Sequence, residues 1–331
     1  MNKARVPAEV LILHGASAQA DRPDEADTLV QVDAIASTLR GLGCRVAVHA
    51  VGLDLTALAR FAGRRDSTVF NLVESLEGQG ALLHLPAAVL ETMGIAFTGA
   101  SSMALAVTTD KPLAKRLLRD AGLPTPDWWE TGPLPAGLPV IVKPSCEDAS
   151  CGIDADSVTS GDSALAILAE RRARLGGAWF AEAYVEGREF NVSLLAKDDG
   201  VEVLPAAEIR FEGFPEGRPR ILDYESKWLP ESAAYRSTRR HSLSPGEDTE
   251  LGAMLADLSR RAWDLFGLHG YARVDFRVDA AGRPWIIEVN ANPCLAPDAG
   301  FMGAASAAGL SFAEVLRRIL ADVTVPAGAG S

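Results

Sequence analysis

Short apolar runs alternate with helical patterns over the first hundred residues, and this alternation limits the possible folds more than any other feature of the chain. Residues 10–13 (VLIL), 45–51 (RVAVHAV) and 68–73 (TVFNLV) have the length and composition of buried strands. Helical patterns follow the first strand at 30–43 and the third at 82–94. The order predicts a parallel sheet covered by helices. Because this region lacks a G-x-G-x-x-G sequence, a dinucleotide site is not implied.

Length and charge narrow the class of protein. The chain has 331 residues, of which 48% are hydrophobic and 23% charged, which is typical of a globular protein with two or three packed modules. The 32 basic and 44 acidic residues give a net charge of −12, the wrong sign for binding nucleic acid or an anionic membrane. With no secretion signal or membrane span in the pattern, we expect a cytoplasmic protein with four reduced cysteines.

A well-marked helix within the segment 108–126 suggests a boundary between modules. Thr and Asp provide its cap, Pro112 lies in its first turn, and Gly122 ends it before two prolines. The pattern places Leu113, Leu117, Leu118 and Ala121 on its apolar face. We therefore predict an N-terminal α/β module over 1–107, a central module over 108–195 and a C-terminal module over 196–331.

The strongest local signal is a predicted hairpin at 270–293. Alternation places Asp275 on one face of its first strand, and Ile286, Glu288 and Asn290 together on one face of its second. If the strands pair, two carboxylates and an amide oxygen converge without histidine or thiolate, which suits Mg²⁺ or Mn²⁺. Periodicity alone does not separate this interpretation from the solvated face of an ordinary hairpin.

Three further signals are weaker when each is taken alone. Lys143 ends an apolar strand and precedes a loop of small residues, SCEDASCG, where a cation could meet phosphate oxygens. Lys111, at the start of a helix, is by itself an ordinary surface lysine. Glu182 and Glu189 flank an apolar strand, either as edge charges or as ligands of a ribose and a base.

In sequence order these segments resemble the D-alanine:D-alanine ligases of the ATP-grasp superfamily. The resemblance extends from about Val69 to Leu316, and its ordered set of motifs is far more specific than any one of them. The segments are FTGASSMALAVTTDK, GLPVIVKPS, AEAYVEGREF, DYESKWL, ARVDFRV and IIEVNANP. The resemblance implies three α/β modules, with ATP held between two antiparallel sheets of the central and C-terminal modules.

The resemblance also implies roles for individual residues. In this family an acid is phosphorylated by ATP to an acyl phosphate, which an amine then attacks. The implied ATP contacts are Lys111, Lys143, Ser150, Glu182, Tyr184, Val185 and Glu189. Lys227 would reach the transferred phosphate, and Arg273 would stabilise the tetrahedral intermediate. Two Mg²⁺ ions, or Mn²⁺, would be held by Asp275, Glu288 and Asn290.

The sequence departs from the family where substrates are bound. Ala149 stands at the position of a serine and Trp228 at that of a tyrosine, while Cys294 replaces a glycine. The family's N-terminal glutamate corresponds to Asp24 or Glu25, and the sequence is compatible with either position. The predicted substrate contacts are His14, Glu25, Trp228, Cys294 and Asp298.

Asp298 precedes Ala299, which stands where the family has a serine that helps to bind the carboxylate of the incoming amino acid. A carboxylate at this point disfavours an anionic substrate and suits an amine, a guanidine or a neutral group. Alternatively, Asp298 caps the helix that begins near Ala299.

The sequence therefore predicts an ADP-forming ligase that joins two small amino-acid-like substrates other than two D-alanines. A genuine D-alanine:D-alanine ligase with a rebuilt pocket is the nearest alternative. A nucleotide-binding sensor or scaffold without turnover belongs to another class, and a kinase that releases the phosphorylated acid is a third alternative. A homodimer is the family expectation.

Overall fold

The computed structural model describes residues 6–16, 23–61, 67–198, 200–244 and 246–324, except for the side chains of Asp24 and Glu25. Within these ranges the chain forms three sheets and ten α-helices. Three short 3-10 helices occur at Leu55–Phe61, Gly80–Leu82 and Ala155–Ser157. The mixed α/β architecture predicted from the sequence is confirmed.

The first sheet has the strand order β15-β4-β3-β1-β2. Strands β1 to β4 run parallel, and β15 joins the edge antiparallel beside β4, so the chain returns to the first module after α10. The predicted strands are confirmed, with bounds that shift by one or two residues. The strands are β1 (Glu9–Gly15), β2 (Arg45–Val51), β3 (Ser67–Leu72), β4 (Phe97–Thr98) and β15 (Val323–Thr324).

Helices cover both faces of this sheet because its central strand is apolar on both sides. Ile12 of β1 belongs to a core that includes Ile35 of α1 (Pro23–Gly41), whereas Leu13 belongs to the core on the other side. Such near-continuous apolar strands are typical of parallel sheets. The remaining helices of the module are α2 (Leu85–Thr92) and α3 (Ser102–Thr109).

The central sheet is antiparallel and has the order β5-β8-β6-β7. Its strands are β5 (Trp128–Trp129), β6 (Pro139–Pro144), β7 (Val158–Ser160) and β8 (Trp179–Ala183). The predicted helix is α5 (Gly161–Leu175), which packs Ala164 and Leu168 against Val140 and Val142 of β6. The opposite face of the sheet carries charged side chains.

The C-terminal sheet is antiparallel, has the order β12-β11-β9-β13-β14, and takes a sixth strand, β10, beside β9. Because β9 begins at residue 188, it crosses the predicted boundary at 195. The strands are β9 (Arg188–Lys197), β10 (Gly200–Val203), β11 (Ala207–Phe211), β12 (Thr238–Ser242), β13 (Tyr271–Val278) and β14 (Pro284–Asn290). The helices are α6 (Tyr224–Trp228), α7 (Ala233–Arg236), α8 (Thr249–Phe266), α9 (Gly300–Ala307) and α10 (Phe312–Ala321).

The helix predicted within 108–126, with its Thr/Asp cap and its end at Gly122, is confirmed, but it buries a different face. Helix α4 (Lys111–Asp120) starts at Asp110, whose side chain accepts a hydrogen bond from the backbone N–H of Leu113 at 3.0 Å. Ala121 lies beyond the helix and is exposed. The buried positions are Lys111, Pro112, Ala114, Lys115 and Leu118. The apolar pattern missed this face because both lysines are drawn inward by carboxylates of other elements.

The predicted hairpin is confirmed, but the alternation assigned to its second strand is wrong. A β-bulge lies between the pairs Asp275–Glu288 and Phe276–Ile286, so Ile287 is an extra residue. Ile286 is consequently buried in the apolar core, instead of sharing a face with Glu288. The backbone N–H of Ile286 donates to Pro124 O at 2.8 Å, so the bulged strand is bonded to the segment that follows α4.

The structure can also be compared with the predictions on cysteines and membrane spans. All four cysteines are free thiols. No helix in the described ranges combines the length and hydropathy of a membrane span.

Candidate active site

A cleft of about 550 Å³ lies between the polar faces of the two antiparallel sheets and reaches the first module. Both sheets, the loop that follows β6 and the chain that precedes α9 contribute to its walls. It contains the predicted ATP and metal residues Lys111, Lys143, Ser150, Glu182, Tyr184, Val185, Glu189, Lys227, Arg273, Asp275, Glu288 and Asn290. Positions separated by up to 179 residues in sequence therefore line one cavity.

The hairpin β13–β14 supplies the acidic part of the cleft. Asp275 and Glu288 are cross-strand neighbours, and Asn290 pairs with Arg273. Arg273 donates to both carboxylate oxygens of Asp275, from Nε at 2.7 Å and from Nη2 at 2.8 Å. Asn191 of β9 donates to the same carboxylate at 2.8 Å. Because paired residues on an antiparallel sheet point to the same side, the three predicted metal ligands share one face.

Lys111 joins this group from the start of α4. Its Nζ lies 2.9 Å from Asp148 Oδ1 and 3.3 Å from Glu288 Oε1, and it donates to Glu147 O at 2.7 Å. Burial alone would lower the pKa of Lys111, but Asp148 and Glu288 raise it above its ordinary value. A lysine so placed remains charged and can receive phosphate oxygens.

Glu288 and Asp148 form a close carboxylate pair with opposite pKa shifts. Burial and the charges of Asp148 and Asp275 raise the pKa of Glu288 to about 7, against the opposing effect of Lys111. Lys111, with hydrogen bonding, holds the pKa of Asp148 at about 2 despite burial. This accumulation of carboxylates is costly without a cation and becomes favourable when a divalent ion is bound.

The donor set fits Mg²⁺ only if an amide and the substrate complete it. Among the described residues, no three His, Cys, Asp or Glu side chains are grouped so that they could hold a metal by themselves. Asp275 and Glu288 with the amide oxygen of Asn290 form a hard-oxygen set, and Mg²⁺ commonly takes its other ligands from phosphates and water. The residues present are therefore compatible with the ion.

The opposite wall carries a buried chain of charges. Glu182 of β8 lies between Lys143, whose Nζ is 2.6 Å from Oε1, and Lys115, which pairs with Oε2. Lys143 and Glu182 are diagonal neighbours, since β6 pairs Lys143 with Phe180 and Ile141 with Glu182. The two lysines lower the pKa of Glu182 in spite of its burial. The predicted contact of Glu182 with adenine remains a prediction.

The other predicted nucleotide residues lie beside Arg277, a group that the sequence interpretation missed. Arg277 donates to Glu189 Oε2 at 3.1 Å and to Val185 O at 2.9 Å, and its guanidinium lies 5.6 Å from the centre of the Tyr184 ring. Burial raises the pKa of Glu189, with Arg277 opposing it. Arg277 thus positions Tyr184, Val185 and Glu189.

The loop at 145–153, which we call the phosphate loop after its predicted role, lines the cleft. Ser150 Oγ donates to Leu222 O at 2.7 Å, and Trp228 Nε1 donates to Ala149 O at 2.8 Å. Ala149 and Ser150 both have a positive φ, 57° and 60°, which is uncommon outside glycine. The hydroxyl of Ser150 and the indole of Trp228 therefore hold the loop in place.

The predicted substrate contacts divide into two groups. Trp228, Cys294 and Asp298 line the cleft. His14 does not line it; its ring contacts Gly15 O at 2.8 Å, and it borders a separate pocket of about 30 Å³. The Asp24 and Glu25 side chains lie outside the described part of the structure.

Asp27 and Glu74 form an acidic group at the first-module end of the cleft that the sequence did not predict. Cys294 donates from Sγ to Asp27 at 3.1 Å, while Gln31 donates to Glu74 at 2.6 Å. Burial, Asp27 and Glu74 raise the pKa of Cys294. Glu74 follows the buried strand β3, and residues at the carboxyl end of parallel strands are the usual signal for such a site.

Replacing Glu74 with glutamine should change the pH dependence of stability. Burial raises the pKa of Glu74 from 4.5 to about 7, so the native state retains a proton that the unfolded chain loses between these values. The Glu74 carboxyl therefore lowers the free energy of unfolding by up to about 3 kcal/mol as the pH rises from 4.5 to 7. We expect Glu74→Gln to gain stability relative to the wild type over this range in urea denaturation at several pH values. The exposed Glu231→Gln is the control, and parallel curves for wild type and Glu74→Gln would contradict the assignment.

Two antiparallel sheets that enclose lysines on one side and paired carboxylates on the other define an ATP-grasp protein. Residues 117–321 match the family model described as "D-ala D-ala ligase C-terminus". The D-alanine–D-alanine ligase of Chromohalobacter salexigens is 35% identical over 290 residues, which cover 85% of each chain. The uncharacterized protein y4sG of Sinorhizobium fredii is 32% identical over 280 residues, or 80% of this chain and 79% of that protein. The chain belongs to the D-alanine:D-alanine ligase family, and it is an ADP-forming ATP-grasp ligase that makes a C–N bond.

Solved structures agree on the fold. The D-alanine–D-alanine ligase of Bacillus anthracis, in a crystal structure complexed with ATP, superposes with a TM-score of 0.72 at 20% identity. The superposition covers 95% of this chain and 96% of that one. A second crystal structure from the same organism gives a TM-score of 0.73 at 21% identity, with 94% and 95% covered.

Proposed function

We propose that the protein joins two small amino-acid-like substrates through an acyl phosphate, and that they are not two D-alanines. The observation that supports this most is the contact between Trp228 and Ala149. These positions correspond to a tyrosine and a serine in the family, and here they meet through an indole N–H and a backbone carbonyl at 2.8 Å. Neither offers a hydroxyl to the first substrate, although each lines the cleft.

The side chains provide the groups that the reaction needs. Lys111 and Lys143 lie on opposite walls, where they can bind phosphate oxygens, and Lys227 extends from α6 into the same cavity. Arg273 is positioned by Asp275 to stabilise the oxyanion that forms when the amine attacks. Asp275, Glu288 and Asn290 would hold Mg²⁺, which offsets phosphoryl charge when bound.

A binding protein without turnover is the alternative from another class. Nucleotide binding alone does not require Arg273, which is bound to Asp275 and lies beside the predicted metal residues. The complete set of phosphate, metal and oxyanion groups therefore favours an enzyme. A D-alanine:D-alanine ligase with a rebuilt pocket remains the nearest alternative, and the same experiment separates the two.

The test is product analysis by mass spectrometry after incubation with Mg-ATP and pooled D- and L-amino acids, small peptides and simple amines. We expect a new mass equal to two components minus water, formed in step with ADP. The Glu288→Ala variant provides the blank. D-alanyl-D-alanine as the main product would contradict the altered pocket. ADP without a condensed product would indicate a kinase, and no ADP with any pool would favour a binding protein.

A further inference from the structure

Arg240 of β12 lies in the cleft at its acceptor end, which we define by Arg273, Asp298 and Gly300. All four residues line the cleft. The side chain of Arg240 is exposed there, and its Nη1 donates to the backbone carbonyl of Asp298 at 3.2 Å. The sequence interpretation considered Asp298 without Arg240, because β12 is 58 residues away along the chain.

Arg240 has no carboxylate partner within ion-pair distance among the residues described. Arg273, in contrast, is bound by both oxygens of Asp275. The pKa of Arg240 is lowered by partial enclosure and by the positive charge of Arg273, while Asp298 raises it. The guanidinium of Arg240 thus brings a positive charge to the backbone of Asp298, and with no carboxylate bound it retains free donors toward the cleft.

The side chain of Arg240 lies against the start of α9. A Cβ atom on Gly300 would lie 3.4 Å from the guanidinium carbon of Arg240, and one on Gly303 would lie 3.9 Å from Nη1. The guanidinium of Arg240 therefore lies within van der Waals distance of the first turn of the helix.

The same turn also leaves backbone donors without a side-chain acceptor. The N-cap of α9 is Ala299, and no side chain caps it, so the alternative that Asp298 caps this helix is wrong. The first N–H groups of a helix have no acceptor within the helix. An arginine beside such a turn is a suitable receptor for an anion, whereas a cationic group would meet Arg240.

We propose that Arg240 is a specificity-determining residue that binds an anionic group of the acceptor substrate. The proposal rests on the proposed function, because an acceptor exists only in a ligase. It reverses the prediction of an amine, guanidine or neutral group beside Asp298, since the guanidinium of Arg240 adds a positive charge that the sequence interpretation did not count.

The test compares amino acids with their carboxamides, which keep the size but lose the negative charge. Binding to the full-length protein in the presence of Mg-ADP is measured by calorimetry for a panel of D- and L-amino acids and the matching amides. For any pair that is condensed, KM and kcat are measured as well. The variants are Arg240→Gln, Arg240→Lys and, as a matched control outside the cleft, the exposed Arg236→Gln.

We expect Arg240→Gln to weaken binding of the acid, and to raise its KM, by about 10- to 100-fold, the effect of losing a charge-assisted hydrogen bond. The kcat and the binding of the amide should stay within about threefold of wild type. Arg240→Lys should recover part of the loss, because it retains the charge but not the forked geometry. Arg236→Gln should behave as wild type.

Several results would overturn the proposal: amides or simple amines bound by wild type as tightly as acids, no acid bound at all, or equal losses for acid and amide in both Arg240 variants. The binding arm separates this inference from the proposed function. Acid binding that depends on Arg240, without any condensed product, would support Arg240 and contradict the ligase substrates. Condensation without discrimination between acid and amide would contradict Arg240 alone.

Discussion

Glu288→Ala is expected to reduce product formation by about a thousandfold or more, because several kcal/mol of charge stabilisation at the transferred phosphoryl group would be lost. Glu288 lies opposite Asp275 on the polar face of the hairpin. Its Oε1 atom is 3.3 Å from Lys111 Nζ. In the wild type, burial and repulsion from Asp148 and Asp275 raise the pKa of Glu288. Replacing Glu288 with alanine removes this repulsion. The fold should therefore remain intact.

Three measurements check this expectation. ADP release and condensed product report activity, circular dichroism reports the fold, and the binding of Mn²⁺ by electron paramagnetic resonance reports the cation site. The exposed Glu250→Ala, at the start of α8, is the matched control. Unchanged ADP release in Glu288→Ala would contradict the metal assignment, as would unchanged binding of Mn²⁺.

Lys115→Met is expected to give the largest loss of stability, about 3–5 kcal/mol, because it removes one of the two lysines that balance the buried Glu182 carboxylate and leaves Oε2 without its counter-charge. Lys115 and Glu182 each have 2% of the side chain exposed. Lys115 Nζ also donates to Thr125 Oγ1 at 2.8 Å, and Thr125 donates to Ile286 O at 2.8 Å. The substitution therefore also weakens the link between α4 and the bulged strand β14.

Urea denaturation of wild type, Lys115→Met and the exposed Lys197→Met measures this loss, with Lys197→Met expected to differ little from wild type. Combining Lys115→Met with Glu182→Gln should restore part of the stability, because the buried carboxylate is then neutral. Equal stability of Lys115→Met and wild type would show that the pair contributes nothing net. Failure of the double variant to recover would indicate a packing defect instead.

The polar residues of the hairpin could be predicted because their positions depend on a local rule. Side chains on a strand alternate with a period of two, so Glu288 and Asn290 share one face of β14, and hairpin pairing places Asp275 on the same side. The bulge at Ile287 could not be predicted in this way. It depends on how β14 pairs with β13 and on the backbone bond from Ile286 to Pro124, both of which involve distant parts of the chain.

Charged residues inside the protein were the least predictable part of the site. The sequence pattern predicts that Lys111 and Lys115 lie on the polar face of α4, yet both are buried. Carboxylates of the phosphate loop and β14 face Lys111, and a carboxylate of β8 faces Lys115. Asp27 and Glu74 were missed for a similar reason. They approach the cleft only because the first module packs against the C-terminal module, through a shared core that includes Ile12 and Phe301.

By itself the sequence determined the strand and helix pattern, the family and the polar face of the hairpin, because each depends on residues close together in the chain or on an ordered set of motifs. The tertiary structure decided which charges meet. It paired Lys115 with Glu182, brought Arg240 to the backbone carbonyl of Asp298 and brought Asp148 to Lys111. Coulomb interactions depend on distance in space and on burial rather than on separation in sequence, so the charge of the cleft around Asp298 follows only from the folded chain.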